Sequence, residues 1–243
     1  MRFVIVGASA GLGRALAEEA ASRAHDLLLV ATDASDLRAL TADLRNRFEV
    51  DARYICADLG DPLAIDTILV AVHEFGVVDG LLLPVGFAVS NDDGTLDFPT
   101  AQRIVNINFV SVLKLVQSLW NQLRDRPDSW VVGFGSIAGI RGRTRNVVYA
   151  AAKRALLTYF ESLRHLAVGT SIVVQCYILG YLDTQQTFGK RLLFPKASPR
   201  ALAKRVFDRL DDGGSAVFYP WFWSIVARIL RTLPWMAYKR LRF

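Results

Sequence analysis

Near its start the chain reads Val6-Gly7-Ala8-Ser9-Ala10-Gly11-Leu12-Gly13, and this stretch decides the fold. A short apolar run at residues 3–6 precedes it, and an alanine-rich segment follows it. The pattern predicts a strand, a tight turn and a helix. Glycines let a backbone turn sharply and approach a pyrophosphate, whose charge the free N–H groups at the start of a helix stabilise. The spacing is GxxxGxG and not GxGxxG, so a purely structural turn is an equal alternative on this evidence.

Runs typical of strands alternate with helical segments along the rest of the chain. Residues 27–30 and 80–83 are apolar at consecutive positions, as expected of parallel strands covered by helices on both faces. The predicted strands are residues 3–6, 27–31, 52–56, 78–83, 130–134, 172–177 and 216–219, and the predicted helices begin near Gly11, Ser35, Pro62, Thr100, Val147 and Pro199. The alternation predicts one α/β domain over residues 1–243, a doubly wound Rossmann-type fold with a seven-stranded parallel sheet flanked by helices.

Composition excludes several classes of protein. Hydrophobic residues make up 52% of the 243 positions and charged residues 21%, which excludes intrinsic disorder. Two cysteines, Cys56 and Cys176, exclude a disulfide framework and suit a reducing compartment. The three histidines show no metal-ligand spacing, so no metal is expected. The first apolar run ends at Gly7, too early for an export signal, and a cytoplasmic location is therefore expected.

The net charge of +6 is concentrated at one end of the chain. Residues 1–185 carry 17 Lys/Arg and 20 Asp/Glu, a net charge of −3, whereas residues 186–243 carry 12 and 3, a net charge of +9. Basic residues there alternate with bulky aliphatic ones, and the rest of the chain is slightly acidic. This distribution disfavours nucleic acid as a partner and leaves anionic lipid or an anionic substrate.

Tyr149 and Lys153 form the clearest candidate for chemistry. Four residues apart on a helix, the phenol and the ammonium lie on one face, so the cation is expected to lower the tyrosine pKa towards neutrality. Such a tyrosine can donate a proton to a carbonyl oxygen. Taken alone, the YxxxK pattern is common by chance.

Ser136 precedes the tyrosine by 13 residues and follows a predicted strand. With these residues in register, the chain resembles the short-chain dehydrogenase/reductase family over essentially its whole length. The resemblance implies that Ser136 orients a substrate carbonyl, that Tyr149 is the acid/base, and that Lys153 holds the nicotinamide ribose. It also implies that Asn108 anchors a proton-relay water, with Asn106 as the rival position.

The resemblance implies NAD(H) or NADP(H) as the cofactor. The residues expected to bind it are Gly7, Ser9, Gly11, Leu12, Gly13, Thr32, Asp33, Asp58, Leu59, Gly86, Tyr149, Lys153 and Thr184. Asp58 either accepts a hydrogen bond from the adenine amine or is an acid at a helix N-terminus. Asp33 either repels a 2′-phosphate, which favours NAD(H) slightly, or caps the following helix.

Two turns depart from the family pattern. Leu83-Pro84-Val85-Gly86 stands where members usually carry NNAG, so both asparagines are lost and the turn must be held differently. Leu179-Gly180 stands where Pro-Gly is usual.

The loop before Tyr149 and the segment after residue 181 are the predicted substrate region. Arg141, Arg143 and Arg145 are candidates to bind a phosphate or carboxylate, with solvent or a subunit contact as the alternative. Residues 182–197 occupy the place of the family's substrate lid and are apolar and cationic.

Residues 221–243 predict a basic, aromatic C-terminal helix with five Lys/Arg and no Asp/Glu. Its apolar stretches are too short to span a bilayer, and Pro234 is expected to break or kink it. Contact with the inner face of the cytoplasmic membrane and packing on another subunit are equal alternatives.

The arginine loop and this C-terminal segment also look like those of bacterial reductases that act on polyprenylphosphoryl-pentofuranose 2-ketones. This second resemblance implies a keto-sugar on a lipid phosphate as substrate. A soluble reductase of a small ketone or 3-oxoacyl thioester, and a non-catalytic dinucleotide-binding scaffold, are the alternatives. The family resemblance further implies a homodimer or homotetramer.

Overall fold

The computed structural model of the protein describes residues 1–189 and 192–241. Within them the chain forms a central sheet whose seven strands are all parallel, in the order β3-β2-β1-β4-β5-β6-β7. The strands are β1 (Arg2–Val6), β2 (Asp26–Ala31), β3 (Ala52–Cys56), β4 (Gly80–Leu83), β5 (Ser129–Ser136), β6 (Ile172–Leu179) and β7 (Ala216–Tyr219). The predicted seven-stranded parallel sheet is confirmed.

Helices connect the strands and cover both faces of the sheet. They are α1 (Gly11–Ser22), α2 (Ala34–Phe48), α3 (Ala64–Phe75), α4 (Phe98–Val105), α5 (Ser111–Arg124), α6 (Val147–Leu166), α7 (Pro199–Asp208), α8 (Trp223–Thr232) and α9 (Trp235–Tyr238). A π-helical turn, Asn106–Val110, joins α4 to α5, and a 3-10 turn, Ile137–Ile140, follows β5. None of the described helices is both long and apolar enough to cross a membrane.

The strands are apolar at consecutive positions because each face of the sheet has its own core. In β1, Phe3 and Ile5 pack in the layer formed with α1, α2 and α7, whereas Val4 and Val6 pack in the layer formed with α3, α5 and α6. A strand buried on both faces needs apolar side chains of both parities. Helices therefore cover both faces of the sheet, and a ligand site is expected beyond the carboxyl ends of the strands.

The basic, aromatic C-terminal segment predicted as a helix forms two helices, α8 and α9, and Pro234 breaks it between them as expected. Proline has no N–H to donate and clashes with a preceding helical turn, so α8 ends at Thr232. Arg242 and Phe243 lie outside the described residues, as do Lys190 and Arg191 of the predicted lid. A bridge from Leu182 to Ala197 closes the base of that lid.

Candidate active site

The residues predicted to carry chemistry meet at the carboxyl edge of the sheet. Ser136 is the last residue of β5, and Tyr149 and Lys153 lie in the first two turns of α6. The glycine turn follows β1, and Thr184 follows β6. Parallel strands place their carboxyl ends on one side, which is where doubly wound folds bind ligands.

The glycine turn is built so that backbone approaches backbone. A Cβ on Gly13 would lie 1.9 Å from the carbonyl oxygen of Gly7, whose φ is +93°. Helix α1 starts after Ala10 without a side-chain cap and has no acidic residue in its first turn, so its first N–H groups face outwards unneutralised. Thr184 lies beside the turn, since its Cγ2 is 3.2 Å from the position of a Cβ on Gly11. This cradle fits the pyrophosphate of a dinucleotide.

Two other members of the predicted cofactor set lie in the turn and at the start of α1. Leu12 turns its side chain into the core, and Ser9 is half-buried in the turn itself. Gly86 is exposed, and a Cβ there would meet open space, so the fold itself does not require glycine at this position.

The Tyr149 phenol lies beside Ser136. Their side chains form a hydrogen bond, and the Ser136 hydroxyl also accepts the N–H of Ala138 at 3.1 Å. Burial raises the pKa of the phenol, and the hydrogen bond with Ser136 and the nearby Arg143 guanidinium act in the opposite direction. Tyr149 is therefore protonated at neutral pH and has a proton to donate.

Lys153 does not act on the tyrosine as the sequence predicted. Its Nζ lies 5.8 Å from the centre of the Tyr149 ring and donates to the carbonyl oxygens of Val85 at 2.7 Å and Phe134 at 3.2 Å. Burial lowers the pKa of this amine to about 8. The expected lowering of the Tyr149 pKa by Lys153 is wrong for this arrangement, because burial raises that pKa and the groups that act against burial are Ser136 and Arg143. Among the described residues, these carbonyls accept two of the three ammonium donors, so the third suits a ribose hydroxyl.

Asn108 holds the turn that lost the family's asparagines. It is fully buried in the π-helical turn, where its Oδ1 accepts the N–H of Phe87 at 3.2 Å. Its Nδ2 donates to the carbonyl oxygens of Phe87 at 2.6 Å and Ile104 at 2.9 Å. Together with the bond from Lys153 to Val85, these contacts answer how the Leu83-Pro84-Val85-Gly86 turn is fixed.

Asp92 belongs to the site, and sequence reasoning missed it. This residue lies in the loop between β4 and α4 and is 2% exposed. Its carboxylate accepts the N–H groups of Val148 at 3.0 Å and Tyr149 at 2.9 Å, and its carbonyl accepts that of Val147 at 3.3 Å. The residue before α6, Asn146, gives no side-chain cap. Asp92 therefore caps the helix that carries Tyr149 from more than 50 residues away.

Two acidic residues of the predicted cofactor set have partners within the chain. The Asp58 carboxylate accepts the N–H of Gly60 at 2.8 Å and pairs with Arg103 at 2.7 Å. The hydrogen bond from Arg103 is the main cause of the lowered pKa of this acid. Asp33 accepts the N–H of Asp36 at 2.9 Å, which confirms the cap interpretation for α2.

The last two members of that set lie near these acids. Thr32 is exposed after β2, and the carbonyl of Leu59 accepts the hydroxyl of Ser111 at 2.9 Å.

The three candidate substrate arginines have separate environments. Arg141 does not face the catalytic group: its Nη1 donates to the carbonyls of Leu230 and Leu233 at 2.5 Å each, and its guanidinium stacks on Tyr238 at 3.9 Å. It binds the C-terminal end of α8, where a cation is favoured by the helix dipole. Arg145 is exposed, and Arg143 is the one whose charge acts on Tyr149.

Comparison with known proteins finds matches over most of the chain. The model of the short chain dehydrogenase family matches residues 2–191. The very-long-chain 3-oxoacyl-CoA reductase of Bos taurus is 23% identical over 242 residues, covering 97% of this chain and 77% of that protein. The 3-oxoacyl-(acyl-carrier-protein) reductase FabG of Escherichia coli is 26% identical over 185 residues, covering 76% and 74%.

Solved structures show the same fold. A 7beta-hydroxysteroid dehydrogenase superimposes with a TM-score of 0.85 at 20% identity, over 95% of this chain and 92% of the other. A short-chain dehydrogenase from Sphingobium yanoikuyae in complex with NADPH gives 0.83 at 23% identity, over 96% of both chains.

Proposed function

Because this chain belongs to the short-chain dehydrogenase family, oxidoreductases that act on carbonyl and hydroxyl groups, we propose that it is a nicotinamide-dependent carbonyl reductase. The observation that carries the proposal is the pair formed by Ser136 and Tyr149 at the carboxyl edge of the sheet, with Lys153 buried behind it. Because the two side chains are hydrogen-bonded to each other, both hydroxyl groups can reach one carbonyl oxygen, and one of them can protonate it.

Tyr149 is the proton donor in this proposal. Its raised pKa keeps the phenol protonated at neutral pH, so the proton is available when negative charge develops on a carbonyl oxygen. Ser136 donates a second hydrogen bond to the same oxygen and orients it. The positive charge of Arg143 stabilises the phenolate left after transfer.

Lys153 returns a proton to the site. A pKa of about 8 leaves the ammonium charged at neutral pH but close to the point of release. Asn108 supports this residue indirectly, because it fixes the turn whose Val85 carbonyl accepts the Lys153 N–H. The predicted water at Asn108 stays a prediction.

The cofactor would be held by the glycine turn, by Thr184 and by the remaining donor of Lys153. When bound, the dinucleotide supplies the hydride that reduces the carbonyl carbon. NAD(H) and NADP(H) both stay candidates. The slight preference for NAD(H) lacks support, because the Asp33 carboxylate caps α2 and the relative from Sphingobium yanoikuyae binds NADPH.

For the substrate we propose a keto-sugar carried on a lipid phosphate. Arg143 places a cation next to the proton donor, where a phosphate group would be attracted. An aromatic cluster lies close by. Leu179 pairs with Ser136 in the sheet, and the Trp223 indole packs against the next residue, Gly180, where a Cβ would meet its nitrogen. Tyr181 and Phe194 pack on that indole at ring distances of 5.6 and 4.7 Å. This apolar wall suits an isoprenoid chain.

A 3-oxoacyl thioester is the second candidate substrate. The relatives from Bos taurus and Escherichia coli bear the names of 3-oxoacyl reductases, and an acyl chain would suit the same apolar wall. The proposed location is the cytoplasm, with peripheral contact to the membrane through residues 221–243. The homodimer or homotetramer stays a prediction.

One assay compares these candidates. The oxidation of NADPH and of NADH is followed with a polyprenylphosphoryl keto-pentose, a 3-oxoacyl thioester and a small neutral ketone. We expect the lipid-linked keto-sugar to have the highest kcat/KM. A higher value for the thioester selects the second candidate, and dinucleotide binding without reduction of any carbonyl refutes the reductase in favour of a scaffold.

A pair of matched variants tests the anionic group of the substrate. Arg143→Gln is expected to raise KM for the phosphate-bearing substrate at least about tenfold, because a charge-assisted contact is lost. Its effect on KM for the neutral ketone is expected to be small, although kcat falls for both substrates because the Tyr149 phenolate loses that charge. Arg145→Gln removes the same charge from an exposed position of the same loop and is expected to change neither value. Equal effects of both variants would refute the role of Arg143.

A further inference from the structure

Helix α8 is apolar on two faces, although only one of them is covered. Trp223 and Ala227 are buried and hold the helix against the body. On the opposite side Ile225 and Ile229 are 51% and 56% exposed, and Trp221, just before the helix, is 70% exposed. At 100° per residue, the two isoleucines lie about 40° apart and roughly opposite the buried pair. A helix exposed to water alone would carry polar residues there.

Arg228 lies beside this apolar stripe, about 60° from Ile225, and Arg231 lies about 60° further round the helix. Arg228 and Arg231 are exposed on α8, and Lys239 and Arg240 are exposed after α9. Residues 213–241 contain no aspartate or glutamate. The described surface therefore joins exposed apolar side chains to positive charge that no acid in the same segment neutralises.

The second helix extends the same surface. Trp235 and Met236 of α9 are exposed, whereas Tyr238 is buried and donates its hydroxyl to the carbonyl of Gly142 at 2.5 Å. Arg141 stacks on the same tyrosine and binds the end of α8. These contacts make the C-terminal segment a fixed part of the body and hold its outer side in a defined direction.

We infer that these side chains form a docking surface for an anionic lipid bilayer. We call them the lipid-facing surface: Trp221, Ile225, Arg228, Ile229, Arg231, Trp235, Met236, Lys239 and Arg240. Tryptophan and aliphatic side chains enter the headgroup region, and lysine and arginine attract acidic lipids. A second copy of the chain fits less well, because a symmetric contact through this surface would oppose its own positive charges.

The lid lies next to the lipid-facing surface. Phe194 stacks on Phe222 at 6.0 Å between ring centres, and its neighbour Leu193 is 89% exposed. A bilayer on this side would therefore adjoin the aromatic wall beside Ser136. This inference gives the peripheral contact proposed above its residues and its lipid class, and it does not depend on the reductase activity.

Sedimentation with vesicles tests the inference on the full chain. We expect binding to vesicles of phosphatidylcholine with 30% phosphatidylglycerol, weaker binding to phosphatidylcholine alone, and release at high salt. Arg228→Gln with Arg231→Gln is expected to weaken binding by about 30-fold, from about 1 kcal/mol for each basic residue near an acidic membrane. Ile225→Ser with Ile229→Ser is expected to remove most of it.

Matched controls lie on other elements. Val70→Ser removes an exposed apolar side chain from α3, and Arg47→Gln removes an exposed charge from α2, and neither is expected to change vesicle binding. Sedimentation velocity and turnover of a soluble ketone are measured for every variant. The isoleucine variant is expected to keep its mass and its turnover.

Three results would overturn the inference. The first is a full chain that does not bind acidic vesicles, and the second is equal loss in the control variants. The third is a change in oligomeric state in the isoleucine variant, which would assign the surface to a second copy. If the unaltered chain did not turn over any ketone, that result would count against the proposed function and not against the docking surface. The two failures are therefore distinguishable.

Discussion

Replacing Asp92 by alanine tests how the catalytic helix is positioned. The change removes both carboxylate bonds to the first turn of α6, at Val148 and Tyr149. Bonds to charged groups contribute about 1.5–3 kcal/mol each, and release of the buried carboxylate offsets part of their loss. We therefore expect the free energy of unfolding to fall by about 3 kcal/mol. For a chain of this size that corresponds to a decrease in Tm of about 6–12 °C.

The same substitution is expected to lower kcat more than it raises the cofactor Kd. Tyr149 is the third residue of α6, so fraying of this turn displaces the proton donor, whereas the glycine turn lies on other elements. Small displacements of reacting groups cost up to about 100-fold in rate, and we expect at least about tenfold. Asp92→Asn keeps one acceptor and is expected to restore part of both losses.

Asp93→Ala is the matched control for this prediction. Asp93 is the exposed neighbour, and its carboxylate accepts the N–H and the hydroxyl of Thr95 in the same loop, at 3.0 and 2.6 Å. Thermal unfolding and steady-state kinetics are measured on all three variants and the parent. If Asp92→Ala were no less stable than Asp93→Ala and kept its kcat, Asp92 would not position the helix.

Three further changes test other parts of the account. Gly13→Ala brings a Cβ to 1.9 Å from the Gly7 carbonyl, and we expect fluorescence titration to show dinucleotide binding weakened at least tenfold; unchanged affinity would contradict the cradle. Arg141→Met is expected to lower the free energy of unfolding, measured in urea, by about 2 kcal/mol. Tyr238→Phe keeps the ring and is expected to lower it by about 1 kcal/mol. If neither variant were destabilised, the contacts of Arg141 and Tyr238 would not hold the C-terminal segment. The pKa of Lys153 is about 8 in the folded chain, against an ordinary value of 10.5. Between these pH values the unfolded chain binds one more proton than the folded chain, so the free energy of unfolding rises with pH there. Lys153→Met is expected to lose that rise, and equal slopes would contradict the burial argument.

Much of the fold could be predicted because burial on both faces leaves a direct mark on the sequence. Residues 27–31 were expected as a strand from their unbroken apolar character, and β2 spans Asp26–Ala31. Helices α1, α6 and α7 begin at the predicted residues, and a glycine turn marks the start of α1 and a proline that of α7. The C-terminal helix was placed correctly, and the break expected at Pro234 separates α8 from α9.

The electrostatics of the site could not be predicted from spacing. A spacing of four positions on a helix places Lys153 near Tyr149. The sequence does not show that both groups are desolvated, or that the amine donates to the Val85 carbonyl. The ammonium was expected to lower the pKa of Tyr149, whereas burial raises the pKa of the phenol and lowers that of the amine. Burial depends on the turn after β4, which is distant in sequence.

Contacts over long sequence distances left no local signal. Asp92 lies in an Asn-Asp-Asp-Gly stretch that is typical of a turn, and nothing near it indicates α6 as its partner. Arg141 looked like a substrate residue because it borders the site, whereas its partners lie about 90 residues further on.

The central claim is that Tyr149 gives the proton to the substrate carbonyl, and one measurement tests it most directly. Tyr149→Phe keeps the ring and removes only the hydroxyl, so kcat for carbonyl reduction is measured at a saturating dinucleotide concentration together with the dinucleotide Kd. We predict that kcat falls at least about 1,000-fold, which is within the usual contribution of acid–base catalysis. The dinucleotide Kd is predicted to change less than threefold. A kcat within tenfold of the parent would contradict it.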